Sequence, residues 1–311
     1  MSYRLTKLLH QVKEQRILFI MLLPGLATLI LFSYFPMFGL ITAFEKFEIN
    51  KGFFGSKFVG LDNFSVFLSD PMIYTVIKNT LGIGALKLLI GFPMPIIFAL
   101  LLNELRKMFF KRAIQTISYL PHFISWVIVI GIWGKMLSAE DGVVNSVLAF
   151  LGVGNINFMV SSQFMWPLAV ITDVWKEMGW GAILYLAALT AINPQIYEAA
   201  IVDGAGRWKQ LWHVTLPGIK STIVILLILS IPNIVGSSGL GGGTFEQMWV
   251  LGTLPVRDVT EIIDTYVLRT GLGNAQYSLA AAVGLTKTFI SLILIVTVNK
   301  IAKRLGEIGV Y

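Results

Sequence analysis

The chain has 311 residues, of which 56% are hydrophobic and 13% charged, with a formal net charge of +7, a mean hydropathy of +0.76 and no cysteine. Soluble domains carry about 25% charged residues, so the composition excludes an ordinary soluble domain, and the missing cysteines exclude disulfides, thiolate metal sites and cysteine nucleophiles. The basic excess does not point to nucleic acid, because Lys and Arg flank apolar runs, as they do on the cytoplasmic side of membrane proteins.

Crossing a bilayer takes roughly 20 helical residues, and the apolar runs predict about six spans: 17–43, 73–102, 113–137, 164–192, 221–235 and 275–299. A basic segment, 1–16, precedes the first; it is read as a retained span because the run exceeds a signal-peptide core and no cleavage site follows promptly. The first outer loop, "KFEINKGFFGSKFVGLDNFSVFLSDP", suits an interfacial, partly structured lid. The fifth span is short and ends in "IPNIVGSSGLGGG". Pro232 and the glycines are expected to break its helix near the outer leaflet. Broken backbone at membrane depth needs protein or a water-filled cavity beside it, so this end either lines a path or forms a plain outer loop. A tail, 300–311, follows the last span. Arg4, Lys7, Lys13 and Arg16 lie before the first span; Arg106, Lys107, Lys111 and Arg112 between the second and third; Arg207, Lys209 and Lys220 between the fourth and fifth; Lys300, Lys303 and Arg304 after the sixth. The positive-inside rule then places both termini in the cytoplasm of a multi-pass cytoplasmic (inner) membrane protein.

By that orientation the polar insert at 193–219 is cytoplasmic. Asn193 can cap a helix and Pro194 suits its first position. "QIYEAAIV" continues it, Asp203 and Gly204 favour a turn, and "GRWKQLWHV" forms a second short helix with Trp208, Leu211 and Trp212 on one side. Pro217 is expected to end that helix. Small Ala199 and Ala200 permit close backbone approach, and Glu198 and Asp203 offer charges to a partner. The physics fits a docking knob and an ordinary interfacial helix hairpin equally well.

Several charges fall inside spans: Lys87, Asp173, Lys176, Glu177 and Lys287. Each costs roughly 2.5–3.5 kcal/mol at the bilayer centre on insertion scales. Asp173 and Glu177 are four apart and share a helix face, so a cation is expected beside them, from Lys87 or Lys287. Trp175, Trp180 and Tyr185 add aromatic faces or polar edges to such a path, although a single tryptophan here fits an interface belt better. The set reads either as a hydrophilic substrate path or as structural ion pairs between spans. No G-x-x-x-x-G-K-[ST] loop occurs, and His10, His122 and His213 are scattered, which argues against a metal site. His122 and Ser125 are expected to pack within the third span.

The stretch "EAAIVDGAGRWKQLWHVTLP" resembles the E-A-A-x-x-D-G-A…L-P signature of the permease subunits of binding-protein-dependent ABC importers. Further segments, "LFSYFPMFGLITAFEKF", "FVGLDNF", "LLNELRK", "AIQTISYLPHFISWV", "IIDTYVLRTGL" and "AAAVGL", are similar to the sugar-importing branch, and within it to permeases for polysaccharides and complex oligosaccharides. The "GSSGLGGG" before "FEQ" departs from the family's less Gly-rich pattern. The resemblance implies an all-α integral membrane protein of the type I, maltose-importer-like fold, with one permease domain over 17–299. It implies that 193–219 is a coupling loop, whose Glu198, Ala199, Ala200, Asp203, Gly204, Ala205 and Pro217 meet an ATPase. It implies a transport subunit that is not an enzyme and holds no cofactor, ATP and Mg²⁺ being used by a cytoplasmic ABC ATPase dimer. The other implied partners are a second homologous permease, an extracellular or periplasmic solute-binding protein and membrane lipid, with no nucleic acid. Lys87, Asp173, Lys176, Glu177, Trp180 and Lys287 are the candidate substrate path. The alternative is an ion-coupled secondary transporter that uses buried Asp173, Glu177, Lys87 and Lys287.

Overall fold

Helices form nearly all of the chain in a computed structural model that describes residues 15–236 and 243–304. Arg4, Lys7 and Lys13, most of the glycine-rich stretch (237–242) and the tail from 305 lie outside the described residues, and with them the expectations placed there. In chain order the main elements are α1 (Arg16–Phe44), β1 (Glu45–Lys46), β2 (Lys57–Phe58), α2 (Asp62–Ser69), α3 (Pro71–Asn103), α4 (Met108–Phe123), α5 (Trp126–Met136) and α6 (Val143–Phe150). They continue with α7 (Ser162–Thr190), α8 (Pro194–Val202), α9 (Arg207–Gly218), α10 (Lys220–Val235), α11 (Thr244–Leu251), α12 (Ile263–Leu268) and α13 (Tyr277–Arg304). Among the described residues, α1, α3 and α13 are unbroken and apolar enough to cross a membrane. Two bent pairs reach that length only together: α4 with α5, at 108°, and α9 with α10, at 58°. α7 has 29 residues, about 43 Å at 1.5 Å per residue, and stands apart by carrying Asp173, Lys176 and Glu177 along one length.

Prolines shape the long helices. In α1, α3 and α9 a single wide turn precedes a proline: Phe35, Phe92 and Leu216 each donate to the carbonyl five residues back, of Ile30, Lys87 and Leu211, just before Pro36, Pro93 and Pro217. Proline has no N–H, and its ring crowds the carbonyl four residues earlier. A wider turn absorbs both defects without ending the helix. Pro217 sits one residue before its helix ends at Gly218, so the end falls within a residue of the place the sequence led one to expect, and the bend comes at buried Ile219. Pro232 likewise sits in the first turn of a helical piece that runs to Val235, and the chain turns at Gly236, with φ +141°. The expected third span differs more. After Pro121 the chain tightens into a 3₁₀ turn, Leu120–Phe123; Ile124 is extended; Ser125 then caps α5 by accepting from the Ile128 N–H at 3.4 Å. His122 and Ser125 thus flank a break and do not pack within a continuous span.

The described chain divides into two units. In the first, α1 leads into the antiparallel pair β1–β2, with Glu45 opposite Phe58 and Lys46 opposite Lys57. Asn63 donates to the carbonyls of Ala43 and Glu45, and Phe44 packs on Phe64 at 5.4 Å, so the first outer loop is a hairpin closed on itself. The second unit is organised around α7. Glycines permit close backbone approach at two helix contacts of this unit. A Cβ at Gly179 would strike the Ser118 backbone on α4, and one at Gly84 the Ile234 backbone on α10. Buried polar side chains fasten the segment after the glycine-rich stretch. Gln247 donates at 2.7 Å to both the Ala169 carbonyl and Thr172 Oγ1, Asn79 donates to the carbonyls of Asp258 and Glu261, and Trp166 donates to that of Val259.

Replacing Gly179 by Val forces α4 and α7 apart. Overpacking of a tight site costs about 1–3 kcal/mol, so Gly179→Val is expected to lower the thermal midpoint of the detergent-purified protein clearly. Gly131→Val, where nothing lies within 4 Å, is expected to leave it near wild type.

Candidate functional site

The wide turn of α3 begins at Lys87, and this aims the side chain at α7. Lys87 Nζ donates to Asp173 Oδ1 at 2.7 Å and to Thr244 Oγ1 at 3.0 Å, with the two charged side chains 11% and 18% exposed. One turn along α7, Glu177 Oε2 meets His122 Nδ1 at 2.7 Å, and its Oε1 lies 3.3 Å from Lys176 Nζ. Against an ionised carboxylate, Nδ1–H is the donor. Lys176 is buried and donates to the His122 carbonyl at 2.5 Å. The reason is the broken helix: Ile124 N–H bonds the Pro121 carbonyl, the His122 carbonyl lies at the negative end of the helix dipole, and a cation satisfies it. Trp126 lies between the two lysines, 5.8 Å from Lys87 Nζ and 5.6 Å from Lys176 Nζ.

Lys87, His122, Asp173, Glu177 and Thr244 help to wall a cavity of about 510 Å³ between α3, α4, α7, α10 and α11. On one side the His122 ring lies parallel to Trp180, with centroids 4.5 Å apart and planes within 3°, and Phe123 meets Trp180 edge-on. The remaining walls are mostly apolar, from residues such as Leu88, Pro95, Leu226 and Ile234. Lys87 and Lys176 balance Asp173 and Glu177, so two acids on one helix face coexist because each has its own cation. A pocket with apolar walls, a flat aromatic side and a few placed polar groups is what a small polar molecule with apolar faces needs.

The sequence candidates separate in space. Lys87, Asp173, Glu177 and Trp180 line the cavity. Lys176 stands behind its wall. Lys287 is not the cation beside Asp173; it pairs with Asp264 of α12, against the backbone of Gly236. Trp175 packs edge-on against Trp133, at 6.4 Å, while Tyr185 does reach the cavity. His122, Thr244 and Asn233, all lining it, were not among the residues expected there. For His122 the only available signal was the proline before it.

The polar insert is a second candidate site. Asn193 caps α8 by accepting from the Gln195 N–H at 3.0 Å. At the other end, Ala205 N–H bonds the Ala200 carbonyl at 2.8 Å, Gly204 N–H bonds that of Ile201 at 3.0 Å, and Gly204 has φ +77°. This paired closure needs a left-handed residue, which glycine supplies without strain. Tyr197 and Thr215 share a 3.0 Å hydrogen bond that clips α8 to α9. Glu198, Ala199 and Asp203 are exposed, together with Ile201, Val202, Trp208 and Trp212. Val202 is 86% exposed and Trp208 75%. The two tryptophans do share a side with half-buried Leu211, but that side is not packed within this chain.

Comparison with known proteins gives a consistent picture. Residues 91–307 match the family model described as binding-protein-dependent transport system inner membrane component. The chain is 44% identical over 305 residues to the polygalacturonan/rhamnogalacturonan transport system permease protein YteP of Bacillus subtilis (strain 168), covering 98% of this chain and 93% of that one. It is 42% identical over 300 residues to Protein LplB of the same organism, covering 96% and 92%. Among solved structures, a chain of a bacterial alginate ABC transporter in complex with alginate pentasaccharide-bound periplasmic protein superposes with a TM-score of 0.87 at 36% identity, covering 97% of this chain and 99% of that one.

Removing one member of a buried ion pair costs about 3–5 kcal/mol, because the other charge is left unpaired. Lys87→Met is therefore expected to destabilise the protein by about that amount, and Lys87→Met with Asp173→Asn to recover most of the loss. Thermal unfolding of the two single variants and the double variant measures the coupling.

Proposed function

The chain belongs to the family of binding-protein-dependent transport system inner membrane components, and from that premise we propose that it is one permease of an ABC importer for oligosaccharides or polysaccharide fragments. It is a multi-pass protein of the inner membrane and a transport subunit, not an enzyme. The observation that carries the substrate class is end-to-end similarity to permeases of polygalacturonan/rhamnogalacturonan and alginate systems. The cavity supports it: Trp180 and His122 offer a flat face to a sugar ring, and the paired charges offer hydrogen bonds to hydroxyl groups. The reading includes six spans with both termini in the cytoplasm.

In this reading a periplasmic or extracellular binding protein delivers the saccharide. A cytoplasmic ATPase dimer, with its ATP and Mg²⁺, supplies the energy. A second, homologous permease completes the path, and lipid surrounds the pair. The insert is the coupling element. Glu198, Ala199, Ala200, Asp203, Gly204 and Ala205 form its contact, and Pro217 shapes the helix behind it. ATP binding closes the ATPase dimer, α8 moves with it, and the spans open outward to accept substrate; hydrolysis returns them. Support for this role is the exposure of α8 and its rigid closure at Gly204. An ion-coupled secondary transporter is not favoured by the family, and it leaves the exposed insert without a task.

Two outcomes test the proposal. A tag on this chain is expected to bring down a P-loop ATPase and a second permease from native membrane; recovery of the chain alone would sink the importer reading. In the purified complex Gly204→Pro places a residue fixed near φ −65° where the backbone has φ +77°. Saccharide uptake is expected to fall at least about tenfold while basal ATP hydrolysis persists, and uptake at the wild-type ratio to hydrolysis would remove α8 from the coupling role.

A further inference from the structure

His122 and Glu177 border two cavities at once. One is the cavity of about 510 Å³ described above. The other, of about 410 Å³, lies at the break between α4 and α5, where Ser125, Trp126, Lys176, Gly243 and Glu246 complete its wall. The two cavities share His122 and Glu177 and no other lining residue. These two shared residues are joined by the 2.7 Å bond from ring to carboxylate.

We propose that the His122–Glu177 pair is a gate between two chambers of the translocation path, with the break after Phe123 as its hinge. The proposal rests on the importer reading. Three features separate this pair from the other buried ion pairs. Glu177 keeps a second cation when the bond opens, since Lys176 is its neighbour on α7, 3.3 Å away, and rests against the Trp126 face. Opening therefore strands no acid. Lys87 and Asp173 have no such substitute: Thr244 is neutral, and separating them would leave two unpaired charges. Second, His122 sits in a 3₁₀ turn followed by extended Ile124, so its position is set by a short irregular segment and a small dihedral change moves the ring. Third, the ring already lies flat on Trp180 with Phe123 at its edge. The aperture uncovered by a swing is thus bordered by aromatic faces, which a sugar ring can slide across without needing one fixed set of hydrogen bonds.

The absence of cysteine in the natural chain gives a direct test. Ser230 lines the larger cavity and not the smaller one. Ser230→Cys is placed in the assembled complex in sealed vesicles, without nucleotide, and its modification by a charged, membrane-impermeant thiol reagent is timed from each face separately. With the pair intact the cysteine is expected to react from one face. Adding Glu177→Ala is expected to raise the rate from the other face by about tenfold, the effect of losing ~1.4 kcal/mol of closure. Glu177→Gln, which keeps an acceptor oxygen, is expected to restore most of the protection, a recovery that a general loosening would not give. Should Glu177→Ala fail to assemble, His122→Ala opens the same bond from its other side and is read in the same way. Equal reaction from both faces before the change, or no new reaction after it, overturns the gate. ATP-driven saccharide uptake by the unsubstituted complex in the same vesicles judges the importer reading independently: normal uptake with unaltered accessibility removes the gate alone.

Discussion

A charge placed in hydrocarbon must be answered from within the chain, and that requirement organises the second unit of this protein. The answer costs several kcal/mol per ion in desolvation and is repaid only by close geometry. Four charges sit together on or against α7, and their answers tie α3 and α4 to it. Lys87 brings α3 to Asp173, His122 brings α4 to Glu177, and Lys176 reaches the His122 carbonyl at the end of α4. Lys287 and Asp264 do the same work between α13 and α12. Ion pairs of this kind add little net stability, but they penalise any register in which a partner is lost. The glycines at the crossings make the close approach possible, and the charges select which approach is taken.

Proline has the complementary task of bending and widening helices without exposing unpaired backbone to lipid. In α3 the wide turn ahead of Pro93 begins at Lys87 and ends at Gly91, and both face the cavity. An ideal helix there would rotate every later side chain by the angle of one extra residue. The same turn that accommodates Pro93 thus sets where the lysine points. At Pro121 the wide turn is replaced by a tight one and a true break, because the chain continues at 108° and Ser125 begins a new helix. The His122 carbonyl left over at that break is what Lys176 binds. The cavity-facing turn in α3 and the break after α4 are two forms of relief for the same kind of backbone defect.

Much of this was legible in the sequence. Run length gave the helices, Asn193, Pro194 and Gly204 gave the form of the insert, and four-residue spacing put Asp173 and Glu177 on one face. What sequence could not give was rotation. Choosing Lys87 over Lys287 as the cation for Asp173 depends on the angular position of α3 and α13 about α7, and a wide turn of unknown place shifts that angle for α3. His122 was hidden for the same reason: its partner is 55 residues away, and nothing local marks a ring that faces a carboxylate. Proline was legible as a perturbation but not in its outcome. Pro36, Pro93 and Pro217 widen a turn, Pro121 precedes a break, and Pro232 leaves its helix running, because neighbouring helices decide which relief is available.

The two candidate sites are mechanically joined by the ends of the helices that line the cavity. α7 ends at Thr190 and α8 begins at Pro194. The bend at Ile219 lies in an apolar cluster with Ala99 of α3 and with Ala182, Tyr185 and Leu189 of α7. A Cβ at Gly218 would strike Ile192, so the end of α9 bears directly on the link that follows α7. The exposed ion pair Arg207–Glu104, at 3.3 Å, adds a link to the end of α3 but little strength. The Tyr197–Thr215 bond thus ties α8 to α9, and the buried cluster at Ile219 ties the end of α9 to α3, α7 and α10. Those three helices carry Lys87, Asp173, Glu177, Trp180 and Asn233. Close-packed interiors shift between discrete arrangements more readily than they deform smoothly, so these shared contacts make the insert and the cavity walls one packed assembly. His122 sits in the irregular turn at the end of α4 and, among the described residues, is the charged or titratable wall group that stands outside those three helices.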